Sequence, residues 1–198
     1  REAEEAAIVS SMQTAMDEEQ FVVYFQPKFD ITNERDVGAE ALVRWKHPDT
    51  GLLSPKYFIP VFERNGFISR LDYYVWEHVC RLIHKWLQDG ISLHPITVNI
   101  SRISLYNPKL SCILLELIRR YDVPIGLLNL EITESAYVSD PEVIQEAVRR
   151  LHQAGFILLM DDFGSGYSSL NMLKDIEVDV LKIDMQFLSG GVSPGKGK

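Results

Sequence analysis

Oxygen-bearing side chains close a series of short apolar runs in this chain, and that pattern restricts its fold more than any other feature. Glu40 ends VGAE, Asn99 ends PITVN, Glu131 ends LLNLE, and Asp161-Asp162 end FILLMDD; Lys182 and Asp184 then follow VDVL. Runs of this kind read as strands buried on both faces, which is the condition of an all-parallel sheet. In an α/β barrel the C-terminal strand ends open into the mouth where active sites lie, so a carboxylate there points at the chemistry. The pattern predicts a catalytic α/β protein.

The spacing between the runs supports that class. Residues 21–31 (FVVYFQPKFDI) and 37–45 (VGAEALVRW) are predicted strands joined by the turn Asn33-Glu34-Arg35-Asp36, and so short a connection makes them antiparallel. Helix and strand then alternate. Helices near 55–64 and 69–89 precede strand 95–100, helix 108–121 precedes strand 127–132, helix 140–154 precedes strand 156–161, and helix 167–174 precedes strand 178–184. Asp140-Pro141-Glu142 reads as a helix start, and Gly90 and Gly155 stand just past helix ends. The count is six strands, two short of an eight-stranded barrel. Residues 2–19 form an amphipathic helix with Ile8, Met12, Ala15 and Met16 on one side, read as a linker over 1–20 from an upstream module. Residues 189–198 (SGGVSPGKGK) read as a flexible tail.

Charge narrows the partners. The chain has 198 residues and a formal net charge of -8, with no Lys/Arg cluster, which argues against general nucleic-acid binding. An acidic protein acting on a phosphate must gain positive charge locally, and divalent cations supply it. Cys80 and Cys112 sit in apolar helical stretches and read as buried free thiols of a reducing, cytoplasmic compartment. No apolar run reaches the roughly 20 residues of a membrane span.

Taken alone, each strand-end acid has an ordinary explanation: Glu40 or Asn99 serves equally as a helix cap or a solvated loop residue. Together, Glu40, Asn99, Glu131, Asp161 and Asp162 make a set of hard oxygen donors suited to Mg²⁺, Mn²⁺ or Ca²⁺. The five histidines are scattered, which disfavours a zinc hydrolase. Two ions about 3.5–4 Å apart would hold a phosphodiester and activate water, with Lys182 orienting that water or neutralising charge. Asp-Phe-Gly at 162–164 lacks the other motifs of a protein kinase. Gly164-Ser165-Gly166 reads either as a phosphate cradle or, more commonly, as a plain loop.

EALVRW (40–45), VNIS (98–101), LEITES (130–135), DDFGSGYSSL (161–170) and LKID (181–184), in that order, resemble the EAL domain of bacterial cyclic di-GMP phosphodiesterases over about residues 20–188. The resemblance implies a TIM-like (β/α) barrel with an antiparallel first strand, and hydrolysis of cyclic di-GMP to linear pGpG with two Mg²⁺ or Mn²⁺ ions. It implies Glu40, Asn99, Glu131 and Asp161 as metal ligands, Asp162 at the second metal and Lys182 at the attacking water. Glu134 would anchor the loop after strand 156–161, a loop (163–170) that also mediates dimer contacts in the family. Gln26, Leu42 and Arg44 would contact the ligand, with Arg44 near a phosphate, and Asp184 would lie near a guanine. Blander roles stay open: Arg44 and Trp45 as a packed strand end, Gln26 capping backbone groups, Glu134 closing a helix N-terminus.

The departures from the family pattern are Ser165 for a usual threonine, Glu177 for a common proline, and the last two strands, whose Glu-Gly-Val-Glu-Thr-like and Gln-Gly-Tyr-like motifs the sequence does not contain. The expectation is a C-terminally incomplete EAL domain over 21–188, located in the cytoplasm and carried by a signalling protein with an upstream sensory or GGDEF-type module, a parent that membrane attachment would also suit. The competing expectation is a non-catalytic receptor or scaffold that binds the dinucleotide or a protein.

Overall fold

The computed structural model describes residues 2–164 and 177–185. Helix α1 (Glu2–Asp17) leads into strand β1 (Phe21–Asp30), which returns antiparallel as β2 (Arg35–His47). A short β3 (Gly51–Leu53) folds back on β2, and helices α2 (Pro55–Asn65) and α3 (Ile68–Gln88) carry the chain to β4 (Ile96–Asn99). Then follow α4 (Arg102–Leu105), α5 (Leu110–Arg120), β5 (Leu128–Thr133), α6 (Glu134–Ser139), α7 (Pro141–Gln153), β6 (Leu158–Phe163) and β7 (Val180–Ile183). The sheet order is β1-β2-β4-β5-β6-β7, with β3 attached to β2 and every pairing from β2 through β4 onward parallel. The expected α/β class, the antiparallel opening and the six long runs are all present.

The strands pack as their composition requires. Ile96, Val98, Leu128, Leu130, Leu158 and Met160 are buried, as is Thr97 on the alternate face of β4. Helix α3 buries Val75, Trp76, Val79 and Ile83, and α7 buries Ile144, Val148 and Leu151, at the three-to-four-residue spacing of one helical face. At one end Phe21, Trp45, Phe58, Phe62 and Phe67 form an aromatic cluster with neighbouring ring centroids 4.9–6.0 Å apart. Trp45 is fully buried there and donates to Gln20 Oε1 at 2.9 Å, so its role is packing. Ala15 of α1 is also fully buried, with Ile8, Met12 and Met16 packed against the core.

A flat sheet would put β2 and β7, four strands apart, about 19 Å from each other at roughly 4.8 Å per strand. Yet Lys182 Nζ of β7 lies 2.9 Å from Glu40 Oε2 of β2. The sheet is therefore curled, and its curl brings the strand ends together. Gly38 permits the close approach of β2 to the start of β4: Ala39 N donates to Pro95 O at 3.1 Å, and a Cβ on Gly38 would meet that same oxygen at 2.7 Å.

Several expectations are corrected. Strand β2 runs on past Glu40 to His47, because β1 and β3 keep pairing with it. Glu131 and Asp161 each precede the end of their strand by two residues. Cys112 is exposed, since α5 turns Leu110, Leu114, Leu117 and Ile118 inward and leaves position 112 outside; only Cys80 is buried. Asp140 does precede α7, but its side chain makes no capping hydrogen bond. Short β3, α4 and α6 escaped the periodicity because each is too brief to show one. Expected helix 167–174, Ser165, the loop beyond Gly164 and the tail 189–198 lie outside the described residues.

Candidate metal centre and adjoining cavity

Carboxylates of Glu40, Glu131 and Asp161 each offer an oxygen within 4.8 Å of the others. They come from β2, β5 and β6, and the ammonium of Lys182 on β7 sits among them. Its Nζ lies 2.6 Å from Glu131 Oε1, 2.9 Å from Glu40 Oε2 and 3.1 Å from Asp161 Oδ2. Asn99, the last residue of β4, donates from Nδ2 to Glu40 Oε1 at 3.2 Å. Side chains from five strands thus converge on one cluster, with Glu40 contributed from within β2 and Asn99 from the end of β4.

Glu131 is fully buried and its Oε2 accepts no hydrogen bond; Lys28 Nζ stands 3.7 Å from that oxygen. Burial pushes this carboxyl up to about 7, repulsion from Glu40 and Asp161 adds to that, and Lys182 opposes it. Burial works against the Lys182 charge, but hydrogen bonds to Glu131 and Glu40 outweigh it and hold the ammonium above its ordinary range. A buried carboxylate oxygen without a donor, among further carboxylates, suits a divalent cation, which prefers hard oxygen ligands. The residues present fit a metal.

Asp161 and Asp162 owe their placement to a bulge. Met160 pairs with Leu181 and Phe163 with Ile183, so both aspartates oppose Lys182 alone. Asp162 takes φ +58°, a left-handed conformation that a non-glycine residue adopts at a cost of about 1–3 kcal/mol. The exposed Asp162 carboxyl is raised by partial burial and by the charges of Asp161 and Asp184. Asp184 itself follows β7, its N–H donating to Phe163 O at 3.0 Å. Glu134, the first residue of α6, is buried and accepts from Gly164 N at 2.8 Å. Its carboxylate reaches the first residue of the loop after β6, whereas the N-cap of α6 is Thr133.

A cavity of about 480 Å³ adjoins the cluster, lined by Glu40 and Asn99 at the metal end and by Leu42, Arg44, Ile59 and Arg102 among others. Arg44 donates to its neighbour's carbonyl, Val43 O, at 2.8 Å. Gln26 is exposed on β1, opposite Glu40 in register. Three residues escaped the sequence reading. Lys28 follows Gln26 by two positions, hence on the same strand face, and donates to Thr97 Oγ1 at 2.8 Å; that alternation was the available signal. Buried Asp72 of α3 accepts from Ser101 N at 3.0 Å and Ser104 Oγ at 2.7 Å, tying down the turn after Asn99. Burial raises Asp72 to about 6 against those hydrogen bonds. Arg102 stands on the cavity wall.

The EAL domain profile matches residues 9–196. The chain belongs to the EAL domain family. Among curated relatives, this EAL chain is 33% identical over 186 residues to the Pseudomonas aeruginosa protein named bifunctional diguanylate cyclase/cyclic di-GMP phosphodiesterase MucR, covering 94% of this chain and 27% of that protein. It is 35% identical over 177 residues to the Escherichia coli protein named probable cyclic di-GMP phosphodiesterase PdeB, covering 89% of this chain and 34% of that one. The EAL chain thus spans only about a third or less of these relatives. Among solved structures, the MucR phosphodiesterase in complex with c-di-GMP superposes with a TM-score of 0.84 at 33% identity, over 92% of this chain and 74% of that one. The EAL neighbours are TIM-like barrels, and the curled sheet described above is the corresponding part of one.

Proposed function

We propose that this EAL domain hydrolyses cyclic di-GMP to linear pGpG in a bacterial signalling protein, using two Mg²⁺ or Mn²⁺ ions. The observation that carries the reading is the convergence of Glu40, Glu131, Asp161 and Lys182 beside a cavity of about 480 Å³. That volume lies within the roughly 300–1,000 Å³ of ordinary small-molecule sites.

Glu40, Asn99, Glu131 and Asp161 would hold the metals, with Asp162 at the second ion. When bound, such a pair polarises the phosphodiester and supplies a hydroxide-like nucleophile at neutral pH. The chain's own groups do the rest. Lys182, held protonated, would donate a hydrogen bond to the attacking water and neutralise charge as the water oxygen bonds to phosphorus and the P–O3′ bond breaks, leaving a 5′-phosphate while the water's proton passes to the departing 3′-oxygen. Glu134 anchors the loop after β6. Gln26, Leu42 and Arg44 position the dinucleotide, and Asp184 lies toward a guanine. The bulge that sets both aspartates opposite Lys182 supports the two-ion reading.

The proposal extends to a cytoplasmic site of action, an upstream GGDEF-type or sensory module, and a homodimer formed through the loop after β6. The longer MucR relative, named for both a diguanylate cyclase and a phosphodiesterase, supports the module.

The test incubates the chain with cyclic di-GMP and Mn²⁺ and follows product by chromatography. Linear pGpG that vanishes with chelator and in Glu40→Ala supports the proposal; turnover that survives Glu40→Ala overturns the ligand assignment. Saturable binding without turnover would establish the receptor reading instead.

A further inference from the structure

Two guanidinium groups line the cavity, and only Arg44 belongs to the motif that the family resemblance assigns. The other, Arg102, is the first residue of α4, three positions after Asn99. Its Nη1 donates to Ser139 Oγ of α6 at 3.1 Å, and that hydroxyl already donates to Ser135 O at 2.8 Å. Among the described residues neither Arg44 nor Arg102 forms a salt bridge. Arg64, Arg120, Arg149 and Arg150 pair with carboxylates on the outer surface, whereas these two guanidinium groups face the cavity without one.

Two of the three carboxylates on the cavity wall are engaged elsewhere. Glu40 pairs with Lys182 and Asn99, and Asp72 accepts from Ser101 and Ser104. Glu63, also on the wall, lies toward Asp72 and raises its pKa. A planar fork of donors with a single neutral partner is prepared for an anion that accepts two parallel hydrogen bonds.

We propose that Arg102 is a substrate-binding residue of this chain: it releases Ser139 and grips a phosphate oxygen of the nucleotide that occupies the cavity. The inference rests on the nucleotide reading above and adds to it a contact outside the shared motifs. Arg102 helps to set affinity for the nucleotide and takes no part in the bond-breaking step. Ser139 is the group that the guanidinium exchanges for the phosphate.

The experiment measures cyclic di-GMP binding to the chain by calorimetry in chelator, at low and high NaCl. It uses wild type, Arg102→Ala, Arg102→Lys and Ser139→Ala. Loss of one charge-assisted contact is expected to weaken Arg102→Ala about tenfold or more, with a shallower salt dependence. Arg102→Lys, which keeps the charge and loses the fork, should fall between. Ser139→Ala should bind as tightly as wild type or tighter. If Arg102 is only a brace between α4 and α6, Ser139→Ala will weaken binding as Arg102→Ala does, and the proposal falls. Unchanged affinity or unchanged salt dependence in Arg102→Ala, with an unaltered thermal transition, also overturns it. Failure of wild type to bind at all would sink the nucleotide reading itself, a distinct result.

Discussion

Replacing Lys182 by methionine keeps much of the side-chain volume and removes the ammonium that three carboxylates share. Removing one partner of a buried ion pair costs about 3–5 kcal/mol, because the other charge is left without compensation. Glu131 is fully buried, but the Lys182 side chain is 30% exposed, so solvent screening reduces the expected loss to about 2–3 kcal/mol. For a chain of this size that lowers Tm by about 4–12 °C. The loss should depend on metal. Saturating Mn²⁺ would occupy the oxygens that the ammonium leaves, whereas in wild type it must first displace Lys182. Ligand at 100 times its Kd contributes about 2.7 kcal/mol, enough to erase the deficit. Thermal unfolding of both proteins, in chelator and in Mn²⁺, reads this directly. The expected result is a large gap in chelator that closes with Mn²⁺. An equal gap in both conditions, or none in either, would refute a shared seat for ammonium and metal.

Further tests address the support of the site. The Asp72 carboxyl, raised to about 6 from 3.8 by burial, stays protonated in the folded chain at pH values where the unfolded chain has ionised. Its contribution is fully present below about pH 3.8 and is lost as pH rises through 6, about 3 kcal/mol in all. Urea unfolding at pH 4 and pH 7 should show Asp72→Asn gaining on wild type at the higher pH; a constant difference would refute this. Gly38→Ala should destabilise by about 1–3 kcal/mol and weaken metal binding, because its Cβ meets Pro95 O at 2.7 Å where β2 joins β4; calorimetry with Mn²⁺ and urea titration check both effects. Of the two thiols, exposed Cys112 should react rapidly with a disulfide reagent. Cys80, whose thiol burial pushes up to about 12, should react only on unfolding, and two fast equivalents would contradict the packing of α3.

Much of the site could be read from the chain because strand ends are local signals. An apolar run announces a strand buried on both faces, and the next polar residue falls near the mouth. Glu40, Asn99, Glu131, Asp161 and Lys182 were found this way, and the structure brings all five together. The bulge at Asp161-Asp162 was not legible, since two adjacent aspartates alternate faces in a regular strand and only pairing with β7 shows otherwise. Lys28 was overlooked because PKFD on its own resembles an ordinary strand exit. Asp72 and Arg102 were hidden for another reason. One is a lone acid inside a long helix and the other begins a helix of four residues, so neither has a periodic context, and only the fold discloses the cavity they share.

The curl of the sheet means that the cluster at its mouth also acts as a clasp. Lys182 joins the second strand to the seventh through contacts 142 residues apart in the chain, spanning four strand steps with one ammonium. Tightening that clasp and bending the sheet are then one mechanical event. A cation that draws the same carboxylates inward should therefore slow hydrogen exchange along the exposed margin of β7 and the neighbouring bulge more than in the helices behind them.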